Sequence, residues 1–326
     1  MKTNIMGLKK KIDIAILGPL MFLILLIIVY AIFANNFFTI TNMVNIIRQI
    51  SITGTMAVGV TMVILLGEID LSMAIVMAFS GMMYGGLSKG MYLGLPELPV
   101  GVCMIVVVLL GAIIGLISGF ANSKLGIPGF MATLAMQYAC EGVMLTLTDA
   151  APIFGLREQV TFWGSGYLFG TIPMIIIVFV VIFIIGVILL KCTVFGRNLY
   201  AIGGNAEAAR ISGINVPKFK MLAFMLCSIL VSIAGILMVG RIGSAQVTAG
   251  DNLDMQPIAG TVLGGASLMG GKGSMFGTLL GVLTMGVLVN GLNILGASTA
   301  IQKIVTGVVL FAAVAFNIWT SKKSRK

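Results

Sequence analysis

Apolar runs long enough to cross a bilayer recur along the whole chain, and a single globular core cannot hide that many. They cover residues 14–34, 50–67, 72–88, 99–121, 127–147, 171–190, 219–240, 255–270, 275–295 and 300–319. A spanning helix needs about 20 residues, with about 17 as the short limit. Several runs sit near that limit, and the pairs flanking 67–71 and 270–274 are the least complete. Either break can be a re-entrant element, which a membrane tolerates only where protein or a water-filled cavity covers the backbone. Composition agrees with membrane burial: 59% of residues are hydrophobic and 9% charged, against about 25% charged in soluble domains. The sequence predicts an all-α, polytopic integral membrane protein of about ten transmembrane helices, forming one transmembrane domain over 1–326.

Charge sets the expected orientation. The net charge of +10 sits in short basic clusters between apolar runs, a pattern of membrane loops rather than of a nucleic-acid face. Lys9, Lys10 and Lys11 precede a first run too long for a cleavable leader. With the N-terminus inside and ten alternating crossings, only Arg48, Lys89, Arg157, Arg241 and Lys303 of the 20 Lys and Arg fall outside, leaving 15 inside. An odd number of crossings would export the basic tail 321–326, SKKSRK. Both termini are therefore expected in the cytoplasm.

Other segments read from their residue types. The stretch 35–49 carries Phe37, Phe38, Met43, Ile46 and Ile47 largely on one helical face, which suits a helix lying in the outer interface. The long outer loop Thr148 to Gly170 holds Phe162, Trp163 and Tyr167, which read either as an interfacial aromatic belt or as a ligand site. Gly111, Gly115 and Gly119, and Gly277 with Gly281, are spaced for close helix packing. There is no His, and Cys103, Cys140, Cys192 and Cys227 are scattered with no CxxC pair. Neither a metal site, a disulfide framework nor a nucleophile–base pair is indicated, so no catalytic residue and no cofactor is expected.

Gly67-Glu68-Ile69-Asp70-Leu71-Ser72 places two carboxylates inside an apolar stretch. Intramembrane acids are costly and tend to face a cavity or a partner. Either Asp70 or Ser72 caps a helix beginning near Met73, or Glu68, Asp70 and Ser72 line a path or its inner gate. Glu141, beside Gln137, is a second in-membrane polar site of the same ambiguity. Gly264 to Ser274, GGASLMGGKGS, fails as a phosphate loop: Ala266 stands where a glycine is needed and Gly273 follows Lys272 where Ser or Thr is needed. Thr61 to Met73 and Thr261 to Met275 each pass from an apolar run through a short polar break into another, a faint internal repeat. Asp251 and Asp254 lie in an outer segment, suited either to plain solvation or to contact with a soluble delivery protein.

The longest polar interruption is 191–220, with Lys191, Arg197, Arg210, Lys218 and Lys220 against Glu207. It reads as a cytoplasmic loop. Asn205 can cap a short helix over Ala206 to Ile211, and Gly213 can end it. Such a helix either is plain solvated surface or receives a push from a soluble partner.

GRNLYAIGGNAEAARISGI resembles the coupling loop of the ribose-type permease subunits of bacterial ABC importers. The resemblance extends from about Phe37 to the C-terminus. Gly67 to Ser72 resembles that family's G-x-I-D-L-S signature, although Met73-Ala74-Ile75 replaces the V-G-S that follows. Gly264 to Gly273 resembles its G-G-x-S-x-x-G-G-x-G signature. The resemblance implies a sugar-import permease in the bacterial cytoplasmic (inner) membrane, working as a dimer with a cytoplasmic ATP-binding subunit and an extracytoplasmic sugar-binding protein. It further implies that Asn205, Ala206, Glu207, Ala209, Arg210, Gly213 and Ile214 couple to the ATPase, with Ala206, Ala209 and Ile214 near the contact. An ion-gradient-driven secondary transporter is the alternative, and Glu68, Asp70 and Glu141 are the only ionisable relay it is offered. The sequence does not name the sugar.

Overall fold

The computed structural model describes residues 14–323 apart from Leu93 and Asn252, with side chains within 18–315. Lys9, Lys10, Lys11 and the last three residues of the 321–326 tail lie outside the described residues. The helices are α1 (Ile14–Phe33), α2 (Ile40–Leu65), α3 (Met73–Ser88), α4 (Val100–Lys124), α5 (Gly129–Thr148), α6 (Glu158–Ser165), α7 (Met174–Cys192), α8 (Val194–Gly204), α9 (Ala206–Ile211), α10 (Val216–Ile242), α11 (Gln256–Leu263), α12 (Met275–Ile294) and α13 (Thr299–Lys323). Strands β1 (Tyr167–Leu168) and β2 (Ile172–Pro173) form a small antiparallel hairpin between α6 and α7. The chain is thus a polytopic helical membrane protein.

Among the described residues, six helices, α2, α4, α5, α7, α10 and α12, are long and apolar enough to cross a membrane, and Gly18–Phe33, Met73–Ser88 and Thr299–Ala315 are shorter apolar stretches. Two expectations change. Residues 40–49 are not a separate interfacial helix but the start of α2, which Thr39 caps by accepting the Asn42 N–H. Ile46 and Ile50 are buried, so this end belongs to the bundle. The run 255–270 is not one helix either. Only the eight residues of α11 are helical, about 12 Å at 1.5 Å per residue. The glycines after Leu263 stop it, with Gly265, Gly270 and Gly271 all at positive φ.

The core is built on α10, which packs along α2, α3 and α4. Gly111, Gly115 and Gly119 form the α4 side of that seam: a Cβ at any of them would strike α10 at Ser232, Phe224 or Met221. Likewise Gly277 and Gly281 lie against Gly264 and Gly260. Without a hydrophobic force between helices in lipid, such close backbone approach is what supplies packing energy.

The loops gather at two opposite ends. At one, Arg157 donates to the Ser88 and Leu98 carbonyls, both at 2.9 Å, and Lys89 donates to Phe154 O at 2.8 Å. Ile153 pairs with Ala245 there. The segments 66–72, 264–274 and α8–α9 gather at the other end.

Candidate functional site

The helical structure breaks at 66–72 and at 264–274, and the two breaks meet. Gly271 N–H donates to the Leu65 carbonyl at 2.9 Å. Gly67 has φ +80° and a Cβ there would lie 3.3 Å from Met269 O, so only glycine fits without strain. α8 is seated on both breaks. A Cβ at Gly203 would collide with the Leu65 carbonyl and lie 2.5 Å from Gly271 N. The Tyr200 hydroxyl donates to Gly273 O at 2.9 Å. The sequence offers only one short helix in 191–220; α8 is a second, and its contacts make it the link between that loop and both breaks.

Glu68 ties this hub to two more helices. Its Oε1 accepts a 2.6 Å bond from Lys220 Nζ, near the start of α10, and its Oε2 accepts the Gly129 N–H at 3.1 Å. Both charged side chains are less than a fifth exposed. Gly129 opens α5, whose first N–H groups have no partner within the helix. Pro128 precedes it with no capping side chain, so a carboxylate from another segment does that work. Leu71 N–H also reaches across, donating to Thr133 Oγ1 of α5 at 3.1 Å.

Asp70 is 2% exposed. Its Oδ1 accepts from Ser72 N–H at 2.9 Å and from Ser72 Oγ at 2.6 Å. Ser72 makes no capping bond into α3, so neither side chain is a simple helix cap. Glu68 meets the first residue of α5 and Leu71 meets Thr133 four residues on, about 6 Å along it, so 67–72 climbs from the end of the bundle into it. Glu141 is half-buried on α5, one turn beyond Gln137.

A cavity of about 520 Å³ with mixed polar and apolar walls begins where this climb ends. The first turn of α3 (Ala74, Ile75), the first residue of α11 (Gln256), Gln137 of α5, and Asp251 and Asp254 line it. Its far wall is one face of α13: Thr299, Gln302, Lys303, Thr306, Gly307 and Leu310, a three–four spacing. From Thr299 to Leu310 that wall runs about 16 Å. The opposite face of α13 exposes Ile304, Val308 and Phe311. Asp70, Glu68 and Glu141 are not among the lining residues, whereas Asp251 and Asp254 are. Gln302 and Thr306 carried no sequence signal, because isolated polar residues on a terminal apolar run have no distinctive pattern.

In the loop below, α9 forms as expected. Asn205 accepts the Ala208 N–H at 2.9 Å, and Gly213 ends the helix at φ +85°. Glu207 and Arg210 pair at 2.6 Å on the exposed side, which holds the Glu207 carboxyl below its ordinary range. One expectation is corrected. Ala209 is only 5% exposed, clustered with Leu199 and Ile202, so its side chain packs within the chain rather than standing on the exposed face of α9. Ile211, two positions on, points the other way and is 77% exposed. Ala206, Glu207, Arg210 and Gly213 are exposed and Ile214 is half-buried.

The sequence model of the family described as branched-chain amino acid transport system, permease component, matches residues 42–314. The chain is 41% identical over 304 residues to the ribose import permease protein RbsC of Bacillus subtilis (strain 168), covering 91% of each. It is 40% identical over 296 residues to RbsC of Escherichia coli (strain K12), covering 90% of each. Against the D-allose transport system permease protein AlsC of the same strain it is 34% identical over 303 residues, covering 91% of each.

Proposed function

The chain belongs to the branched-chain amino acid and ribose-type permease-component family, and we propose that it is the membrane subunit of an ATP-driven importer of a monosaccharide in the bacterial inner membrane. The carrying observation is the cavity of mixed lining poised above a closed hub on which α8 sits. Amides, hydroxyls and a few charges suit a neutral polyol, which needs many hydrogen bonds and no fixed counter-charge. Asp251 and Asp254 stand at the cavity, where a sugar-binding protein hands over its cargo. Glu68, Asp70 and Ser72 hold the inner gate shut, and Glu141 flanks the path one turn from Gln137. The α8–α9 loop, 191–220, receives the separate ATP-binding subunit, and a second copy of the chain completes the path.

Ten crossings follow if the break-and-helix 244–263 is counted as one, since α10 ends among the 148–170 loop and α12 starts at the hub. The 148–170 end is then outside, the hub and both termini inside, in keeping with the charge bias. Thiol labelling from outside should reach a cysteine placed at position 158 and miss one at 205; the reverse pattern would invert the orientation.

The ion-gradient alternative loses support from the relatives and from the acids themselves. Glu68 is ion-paired with Lys220, and Asp70 is bonded to Ser72. The test is reconstitution in liposomes with the ATP-binding subunit and a sugar-loaded binding protein. Uptake of monosaccharide should require ATP and both partners; uptake by the chain alone under a proton or sodium gradient would overturn the proposal.

A further inference from the structure

α8, α9 and the first turn of α10 form one packed unit. Leu199, Ile202 and Ala209 are buried together, with Phe195, Ile214 and Phe219 packed against them. The rings of Phe195, on α8, and Phe219, on α10, lie 6.1 Å apart. Ile214 N–H donates to the Ala209 carbonyl at 3.0 Å, and Asn215 caps α10 by accepting the Lys218 N–H at 3.1 Å. The linker 212–215 is therefore bonded at both ends. Close-packed side chains transmit displacement rather than absorb it, so a push on α9 carries the start of α10 with it.

Lys220, next to Phe219, reaches out of that unit. Its Nζ lies 2.6 Å from Glu68 Oε1, and both side chains are largely buried, so solvent screens the pair little. Glu68 gives its other oxygen to the Gly129 N–H at 3.1 Å. One carboxylate thus stands between an ammonium on α10 and the positive end of α5. It has little room to turn, since even a Cβ at Gly129 would lie 2.5 Å from Glu68 Oε2. From Gly129, α5 runs about 12 Å to Gln137 on the cavity wall. The seat of α8 acts elsewhere: Gly203 and Tyr200 touch Leu65, Gly271 and Gly273, all at the two breaks. Lys220 therefore opens a second route from the loop, through Glu68 to a helix that lines the cavity.

We infer that Lys220 is a positioning residue of the transport cycle: it holds Glu68 against the N-terminus of α5 and so relays displacement of the α8–α9 loop to the cavity wall at Gln137. The relay, though not the hold on Gly129, rests on the reading of 191–220 as the loop that receives the ATP-binding subunit. An ion pair that only stabilised the chain would leave the sugar moved per ATP hydrolysed unchanged.

Two measurements test it. In the purified full chain, hydrogen exchange at the Gly129 N–H, read by mass spectrometry of peptides over 126–134, reports the hold directly. Lys220→Met keeps an unbranched stem and removes the charge, and exchange at Gly129 should quicken about tenfold while the α9 amides stay within about twofold. Lys124→Met, an exposed lysine at the same end of the bundle, should change neither. In liposomes with the ATP-binding subunit and the loaded sugar-binding protein, Lys220→Met should still hydrolyse ATP but import several-fold less sugar per ATP. Lys220→Arg, which keeps the charge, should restore both readouts. If Lys220→Met does not insert, Glu68→Gln is read instead, and it too should import several-fold less sugar per ATP. Unchanged exchange at Gly129 in Lys220→Met would overturn the inference. Faster exchange with the parental yield of sugar per ATP would also overturn it, leaving the ion pair a structural one. Uptake by the parent that needs no ATP-binding subunit would instead refute the importer reading and, with it, the relay, whatever Gly129 does.

Discussion

Gly203→Val is expected to abolish sugar uptake, to below a tenth of the parent, in a permease that still inserts. The Cβ of residue 203 has no free direction, because Leu65 O and Gly271 N are backbone atoms of the two breaks and cannot rotate aside. Overpacking against side chains costs about 1–3 kcal/mol; against two backbones it must part the breaks or lift α8 off them. Gly204 is the internal control, since a Cβ there meets nothing within 4 Å, and Gly204→Ala should transport normally. Glu68→Gln probes the same hub by charge. Its amide oxygen still accepts the Gly129 N–H, so the change isolates the Lys220 ion pair, a loss of about 2 kcal/mol for a partly buried pair. Uptake assays with thermal melting in detergent separate the two readouts. Normal uptake by Gly203→Val would mean that α8 does not transmit through this seat.

The all-helical membrane fold was legible because burial in lipid demands long apolar runs and leaves them contiguous in sequence. The α4 face of the seam was legible for a similar reason, since Gly111, Gly115 and Gly119 repeat at the spacing of one helical face, but its partner α10 was not. The α9 cap at Asn205 and its end at Gly213 were legible because capping is local chemistry. What escaped was set by contacts between distant residues. Nothing near Glu68 in sequence indicates Lys220, 152 positions away. α8 was hidden because Gly196, Gly203 and Gly204 read as loop residues; tertiary contact with Leu65 and Gly271 is what makes glycine the right choice at 203. Residues 40–49 looked amphipathic in isolation because the helices that bury Ile46 and Ile50 come from elsewhere in the chain. Run 255–270 looked continuous because glycine counts little against an apolar average, although it ends a helix.

The burial of Ala209 moves the expected ATPase contact to Ile211. On α9 the exposed face carries Ala208, Ile211 and the Glu207–Arg210 pair, an apolar anchor with a charged rim. Burying an isoleucine against a partner contributes about 1.5–3 kcal/mol, and the rim charges set register more than affinity. Ile211→Asp removes that anchor and places a carboxylate in the contact, where an unpaired charge is costly. Its effect on the permease alone should be within about 0.5 kcal/mol, as for other exposed positions. In the reconstituted complex, ATP hydrolysis stimulated by the loaded sugar-binding protein should fall at least tenfold, and uptake with it. Ala209→Trp should behave differently: it overpacks α9 against Leu199 and Ile202 and lowers the melting temperature of the permease itself. An Ile211→Asp complex that assembles, hydrolyses ATP and imports sugar like the parent would remove this face of α9 from the coupling interface.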